Sequence, residues 1–210
     1  MRIGMLIFPM LEELDLVGPW EMVSMWSQQP GGPEVRLLVA QSQDPVVCAK
    51  GLSLNPHVTF ETCPALDVLV VPGGQGTRTE VDNPVLVDFI RRQAPGCQAI
   101  LSVCTGAFLL HRAGLLSGKR ATTHWASLDR LRTLGDVEVV EERWVRDGRI
   151  WTAAGVSAGI DLALAYIADA EGEDVAGRVQ LAAEYFPNHR IHGEASRHPQ
   201  APRYVRSNAP

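Results

Sequence analysis

The apolar positions of this chain fall into short runs separated by stretches of helical periodicity. Arg2 to Phe8 reads as a first strand and Val35 to Ala40 as a second. Asp67-Val68-Leu69-Val70-Val71 is almost continuously apolar, as a strand buried on both faces requires, and it runs into Pro72-Gly73-Gly74. Ala99 to Val103 is another such run, ending at Cys104. Val46 to Leu54 predicts a strand or hairpin interrupted by Gly51. Arg120 to Thr123 predicts a short strand ending at His124. Val137 to Arg146 and Arg149 to Ala153 predict two strands joined through Asp147-Gly148, a strong hairpin signal.

Helical patterns lie between these runs. Pro19 to Trp26 predicts a helix with proline at its first position. Asn83 caps a helix that begins at Pro84 and runs to about Gln93. A helix follows Cys104 and is closed by Gly114. Others are predicted over Ser127 to Leu134, Ala158 to Ala168 and Val175 to Tyr185. Apolar strands alternating with helices predict an α/β fold: a doubly wound, largely parallel sheet flanked by helices. From Pro187 onward the periodicity stops. Residues 1–186 are therefore predicted to form one domain, and residues 187–210 an extended arm or disordered tail whose histidines, His189, His192 and His198, are solvated.

Composition narrows the class. The 210 residues are 46 % hydrophobic, enough for one sizeable core. A net charge of −5 offers no general nucleic-acid surface. No apolar run approaches the roughly 20 residues that span a membrane. The N-terminal apolar stretch is short and followed by Glu12 and Glu13, so it reads as a strand and not a signal peptide. Cys48, Cys63, Cys97 and Cys104 fit neither a zinc spacing nor a disulfide framework, which points to a reducing cytoplasm and to no bound metal.

The abrupt passage from strand to helix at Cys104-Thr105-Gly106 carries the strongest chemical signal. Such a turn strains its central residue and holds it at the carboxyl edge of the sheet, facing the N-terminus of the next helix. The free N–H groups there favour an anion, so the sequence predicts a depressed pKa and a reactive cysteine at position 104. In a doubly wound sheet, Gly73-Gly74 and the loop carrying Asp15 converge on the same crevice. The glycine pair is either a tight turn or a source of backbone N–H groups, Gly74 joining Thr105 in an oxyanion hole. Asp15 is either a helix cap or a buried acid with a raised pKa, fit to donate a proton beside a thiol. His124 is either a structural histidine or a partner of Cys104 in acyl transfer.

These segments resemble the ThiJ/PfpI superfamily, whose fold is flavodoxin-like and similar to that of class I glutamine amidotransferases. The resemblance rests on the first strand, Asp67 to Gly74, Ile100 to Ala107, Ala121 to Trp125 and Thr152 to Ile160. Leu14 to Pro19, Cys104 to Ala107 and Gln180 to Tyr185 resemble isonitrile hydratases most. That resemblance implies Cys104 as nucleophile, with Asp15 and Thr105 also needed for catalysis. It implies no cofactor, a small-molecule substrate and a homodimer, which the arm is long enough to embrace. The substrate-binding residues expected around it are Gly73, Gly74, His124 and Trp20, the last as a pocket wall or else a core tryptophan. The same signatures occur in the ligand-binding half of AraC-type transcription regulators, whose helix-turn-helix half is not expected here. Two other readings follow from the residues: a ligand or redox sensor without turnover, and a Cys–His hydrolase or glyoxalase-type enzyme.

Overall fold

Seven strands form the central sheet of the computed structural model, which describes residues 1–187 and 194–206. They are β1 (Arg2–Leu6), β2 (Val35–Ala40), β3 (Val58–Thr59), β4 (Val68–Val71), β5 (Ala99–Val103), β6 (Trp144–Asp147) and β7 (Ile150–Ala153). Their order across the sheet is β6-β7-β5-β4-β1-β2-β3. Every neighbouring pair is parallel except the β6–β7 hairpin. The chain steps outward from β1 through β2 to β3, returns to β4, and then steps the other way. The reversal between β1 and β4 opens a crevice beyond their carboxyl ends, where doubly wound sheets bind ligands.

The helices that flank the sheet are α1 (Glu13–Trp26), α2 (Pro84–Gln93), α3 (Gly106–Arg112), α4 (Ala158–Glu171) and α5 (Glu173–Ala182). Helices α1, α4 and α5 pack on one another, and α2 packs against α3. All residues of β4 and β5 are buried, as their uninterrupted apolar runs require. Trp26 and Phe89 are among the largest fully buried side chains. Each contributes on the order of 2 kcal/mol of burial free energy. Asn83 caps α2 as expected, its side chain accepting from the N–H groups of Val85 and Leu86.

Three predicted elements differ. Helix α1 starts at Glu13, and Pro19 lies inside it. Leu16, Met22, Val23 and Trp26 bury its inner face, and Pro19 packs closely on Gly159 of α4, so packing carries the helix through the proline. The long strand expected over Val137 to Arg146 is broken by Glu141-Glu142-Arg143. Its first part, Glu138–Val139, pairs with Arg120–Ala121 in a separate parallel ribbon. The helix expected over Ser127 to Leu134 is a 3₁₀ turn, Trp125–Ser127, followed by Leu128–Arg132.

The C-terminal arm also departs from expectation where it is described. Ala201 is buried, and the Arg203 N–H donates to the carboxylate of Glu141 at 3.2 Å. His198 is exposed, as expected of the arm, yet its ring centroid lies 5.1 Å from that of Trp125, edge to face. Residues 195–206 thus fold back on their own chain. His189 and His192 lie outside the described residues.

Candidate active site

Strand β5 ends at Val103 and α3 begins at Gly106, so only Cys104 and Thr105 make the turn. Cys104 has φ +56°, a left-handed conformation that costs an L-residue on the order of 1–2 kcal/mol. Backbone bonds hold it there. Its N–H donates to Ala154 O at 2.9 Å and Ala153 O at 3.2 Å, and its carbonyl accepts from the Thr123 hydroxyl at 2.7 Å. The strained elbow predicted from the sequence is present.

Asp15 sits in the first turn of α1 with no exposed surface. It is not the cap; that position belongs to Glu12. Its Oδ2 accepts from the Gly73 N–H at 2.9 Å, while Oδ1 is buried without a hydrogen-bond partner. Burial is the main force on this carboxyl and raises its pKa to about 7; the Gly73 N–H opposes that rise and the nearby Glu12 charge adds to it. The Cys104 thiol and the Val156 N–H also favour its charged form. Asp15 is therefore a buried acid close to its midpoint at neutral pH.

The cysteine departs from the sequence expectation. Burial, followed by the charge of Asp15, pushes the Cys104 thiol up to about 12, against the pull of Thr105 and of the Val156 N–H. Helix α3 is seven residues long, and its N-terminal field does not offset desolvation and a neighbouring carboxylate. Burial thus pushes both members of the pair toward their neutral forms.

The expected oxyanion hole differs as well, because the glycine amides are already engaged. Gly73 N–H holds Asp15, and Gly74 N–H donates to Thr105 Oγ1 at 3.0 Å. Thr105 Oγ1 also lies 3.2 Å from Gly74 O and 3.0 Å from Thr77 Oγ1, so this hydroxyl ties the elbow to the loop after β4. The glycines are required by close approach. A Cβ at Gly73 would stand 2.4 Å from Thr105 N and 2.9 Å from Asp15 Oδ2. Gly74 has φ +122°, and a Cβ there would stand 2.2 Å from Glu12 N.

His124 packs its ring over Gly155, beside the Ala154 carbonyl that holds Cys104. Its Nδ1 accepts from the Ala126 N–H at 3.3 Å, which assigns the proton to Nε2, and burial lowers its pKa. A neutral ring in that tautomer presents a donor at Nε2 and no base. Trp20 lies 5.8 Å from His57, centroid to centroid. Among the described residues, no group of three or more His, Cys, Asp or Glu side chains is gathered closely enough to hold a metal ion. No described helix is long and apolar enough to cross a membrane.

Residues 1–169 match the family model of the DJ-1/PfpI family. The chain belongs to that family. Among curated DJ-1/PfpI relatives it is 46 % identical over 188 residues to "Isonitrile hydratase" of Pseudomonas putida, covering 89 % of this chain and 79 % of the relative. It is 31 % identical over 181 residues to the HTH-type transcriptional regulator CdhR of Pseudomonas aeruginosa, covering 75 % of this chain but 54 % of the regulator. Among solved structures, a THiJ/PfpI family protein from Pseudomonas syringae superposes with a TM-score of 0.85 at 36 % identity, covering 98 % of this chain and 83 % of that one. The family resemblance read from the sequence is thereby borne out, as is the α/β fold.

Three residues that sequence reasoning did not single out belong to this DJ-1/PfpI site. Val156 has φ +48°, a true outlier for a β-branched residue, and its N–H faces both Asp15 and Cys104. Gly155, directly before it, was the available signal. Buried Thr77 braces Thr105 and donates to Gly74 O at 2.8 Å. Glu12 is joined to Lys50 and raises the pKa of Asp15.

Proposed function

We propose that this chain is an isonitrile hydratase, a hydro-lyase in which Cys104 is the nucleophile and Asp15 the proton carrier. One observation carries the reading: a fully buried carboxyl near neutral pKa, one oxygen fixed by Gly73 and the other unpartnered, acting directly on the Cys104 thiol. The relative bearing that enzyme's name, at 46 % identity, supports it.

The steps balance with one proton and one water. The Asp15 carboxylate takes the thiol proton as sulfur attacks the terminal carbon of the isonitrile, then delivers that proton to the same carbon. The product is a thioimidate on Cys104. Asp15, ionised again, draws a proton from water as the oxygen adds to carbon, and the proton passes to nitrogen. The adduct expels sulfur, the hydroxyl proton returns to Cys104, and an N-substituted formamide leaves. Such a carboxyl works best with a pKa near the operating pH, which supports Asp15 in both roles. The Thr105 and Val156 N–H groups favour the charged sulfur, and the Thr105 hydroxyl keeps the elbow in register. The cycle uses protein groups and water alone.

A homodimer in a reducing cytoplasm completes the reading. All four cysteines are free, which suits that compartment. Met10, Leu14, Val17, Val47 and Leu52 are exposed apolar residues; Leu14 and Val17 share a face of α1, and Met10 bonds to Val47. This surface suits self-association better than the described part of the arm, residues 195–206, which packs on its own chain.

Purified protein should convert cyclohexyl isocyanide to the formamide, read by chromatography. Cys104→Ala should abolish turnover and Asp15→Asn should lower kcat at least about 100-fold. Wild type that leaves the isonitrile untouched overturns the assignment. Stoichiometric modification of Cys104 without product would then support the sensing reading.

A further inference from the structure

Glu12 stands at the point where three segments of the site meet. Its N–H donates to Gly73 O at 3.0 Å, and its carbonyl accepts from the Asp15 N–H at 3.1 Å. Gly73 is the residue whose own N–H holds the Asp15 carboxyl. The Glu12 side chain is only 19 % exposed, and both its carboxylate oxygens meet Lys50 Nζ. Lys50 stands at the tip of the hairpin formed by Val46–Val47 and Ser53–Leu54. That tip is fastened to the same place by two further bonds: Ala49 N–H to Leu11 O at 2.8 Å, and Lys50 N–H to Glu13 Oε1 at 2.6 Å.

A surface ion pair made only for stability contributes little and needs no such fastening. Here two backbone anchors bring one cation to one half-buried anion, three residues from the acid of the site. We propose that Glu12 and Lys50 are positioning residues, an anchored ion pair beside Asp15 that tunes the pH at which this acid gives and takes its proton. The inference rests on Asp15 as the proton carrier but not on the identity of the substrate.

The charged groups around the pair act with known sign. Asp15 faces Glu12 from its own helix and Cys104 from the elbow. Lys50 feels Glu12, Glu13 and Asp15. Glu12 also acts on Cys48 of the hairpin and on His124, which in turn feels Arg78. His124 is held neutral by burial, and burial pushes Cys48 up to about 11, so neither changes charge near pH 7. Lys50 is the cation that screens Glu12 from Asp15.

Removing the two partners singly should therefore move Asp15 in opposite directions. Glu12→Gln should lower its titration midpoint by about 0.5–1 pH unit, and Lys50→Met should raise it by a similar amount. The double variant should fall between them. The midpoint is read without substrate, by carboxyl-carbon NMR of aspartate-labelled protein, with the Asp15 signal assigned from Asp15→Asn. The pH profile of kcat/KM for the isonitrile should shift in parallel. Folded variants whose midpoints stay within about 0.2 unit of wild type, or move the same way, overturn the proposal and leave the pair as a structural clip. Opposite NMR shifts in a protein that ignores isonitriles would uphold it while sinking the hydratase reading.

Discussion

Asp15 and Gly73 are bonded side chain to backbone across 58 residues of sequence, Oδ2 to N–H at 2.9 Å, in a fully buried setting. Adding one carbon at Gly73 drives it into both Asp15 and Thr105. Gly73→Ala should fold less stably and lose at least about 100-fold in kcat/KM, because a displacement near 1 Å at the reacting groups is enough for that. Wild-type kinetics in this variant would show that the placement of Asp15 is not critical.

The raised pKa of Asp15 fixes how stability depends on pH. The folded chain holds this proton more tightly, with a pKa of about 7 against 3.8 for the free residue. The gain is complete below about pH 4, is lost as pH rises toward 7, and is level above that. Asp15→Asn cannot ionise. At pH 8 it should melt about 5 °C above wild type, and at pH 4 the two should coincide, as thermal unfolding at both pH values will read. A lower melting temperature at pH 8 would mean that the charged carboxylate is well accommodated.

The same substitution should raise the reactivity of the sulfur while destroying turnover. The Asp15 charge holds the Cys104 thiol up, so removing it increases the thiolate fraction. Alkylation of Cys104 by iodoacetamide at pH 8, mapped by mass spectrometry, should be about tenfold faster in Asp15→Asn. Slower labelling would assign Asp15 the role of activating base toward any electrophile.

His124→Ala should keep most of the activity, since the ring presents no base at Nε2. Loss of the ring leaves space over Gly155 and should reduce stability by about 1–2 kcal/mol. Near-complete loss of kcat in a folded variant would restore a Cys–His pair.

Light scattering at micromolar concentration should give twice the 22.9 kDa chain mass. Leu14→Glu together with Val17→Glu should return the monomer, because both side chains are exposed on α1. A monomeric wild type would sink the dimer.

What the sequence disclosed and withheld follows from the range of each interaction. The elbow at Cys104 was legible because strand and helix periodicities meet there with two residues between them. The strands β4 and β5 were legible because burial on both faces leaves no polar position. Asp15 as cap or acid was not decidable, since the choice depends on Gly73, far along the chain. The direction of the Cys104 shift was misread for the same reason: the helix field is local, but the opposing carboxylate arrives from another segment. Pro19 misled because the contact with Gly159 that sustains α1 through it is also tertiary. Val156 carried no side-chain signal, as its contribution is a backbone N–H.

The elbow, the acid and their braces come from segments that meet only in the finished fold: Asp15 to Gly73 over 58 residues, Gly74 to Thr105 over 31, Thr123 to Cys104 over 19. Contacts of such long sequence separation are the ones whose loop-closure entropy delays their formation during folding. A newly made chain therefore carries Cys104 first as an ordinary cysteine, exposed and with an unshifted pKa near 8.5. Only when the last segment closes is the sulfur both buried and paired with its acid. Maturation of the protein is in this sense a change in the chemistry of one atom, from a thiol open to any oxidant to one reserved for a partner that brings its own site for a proton.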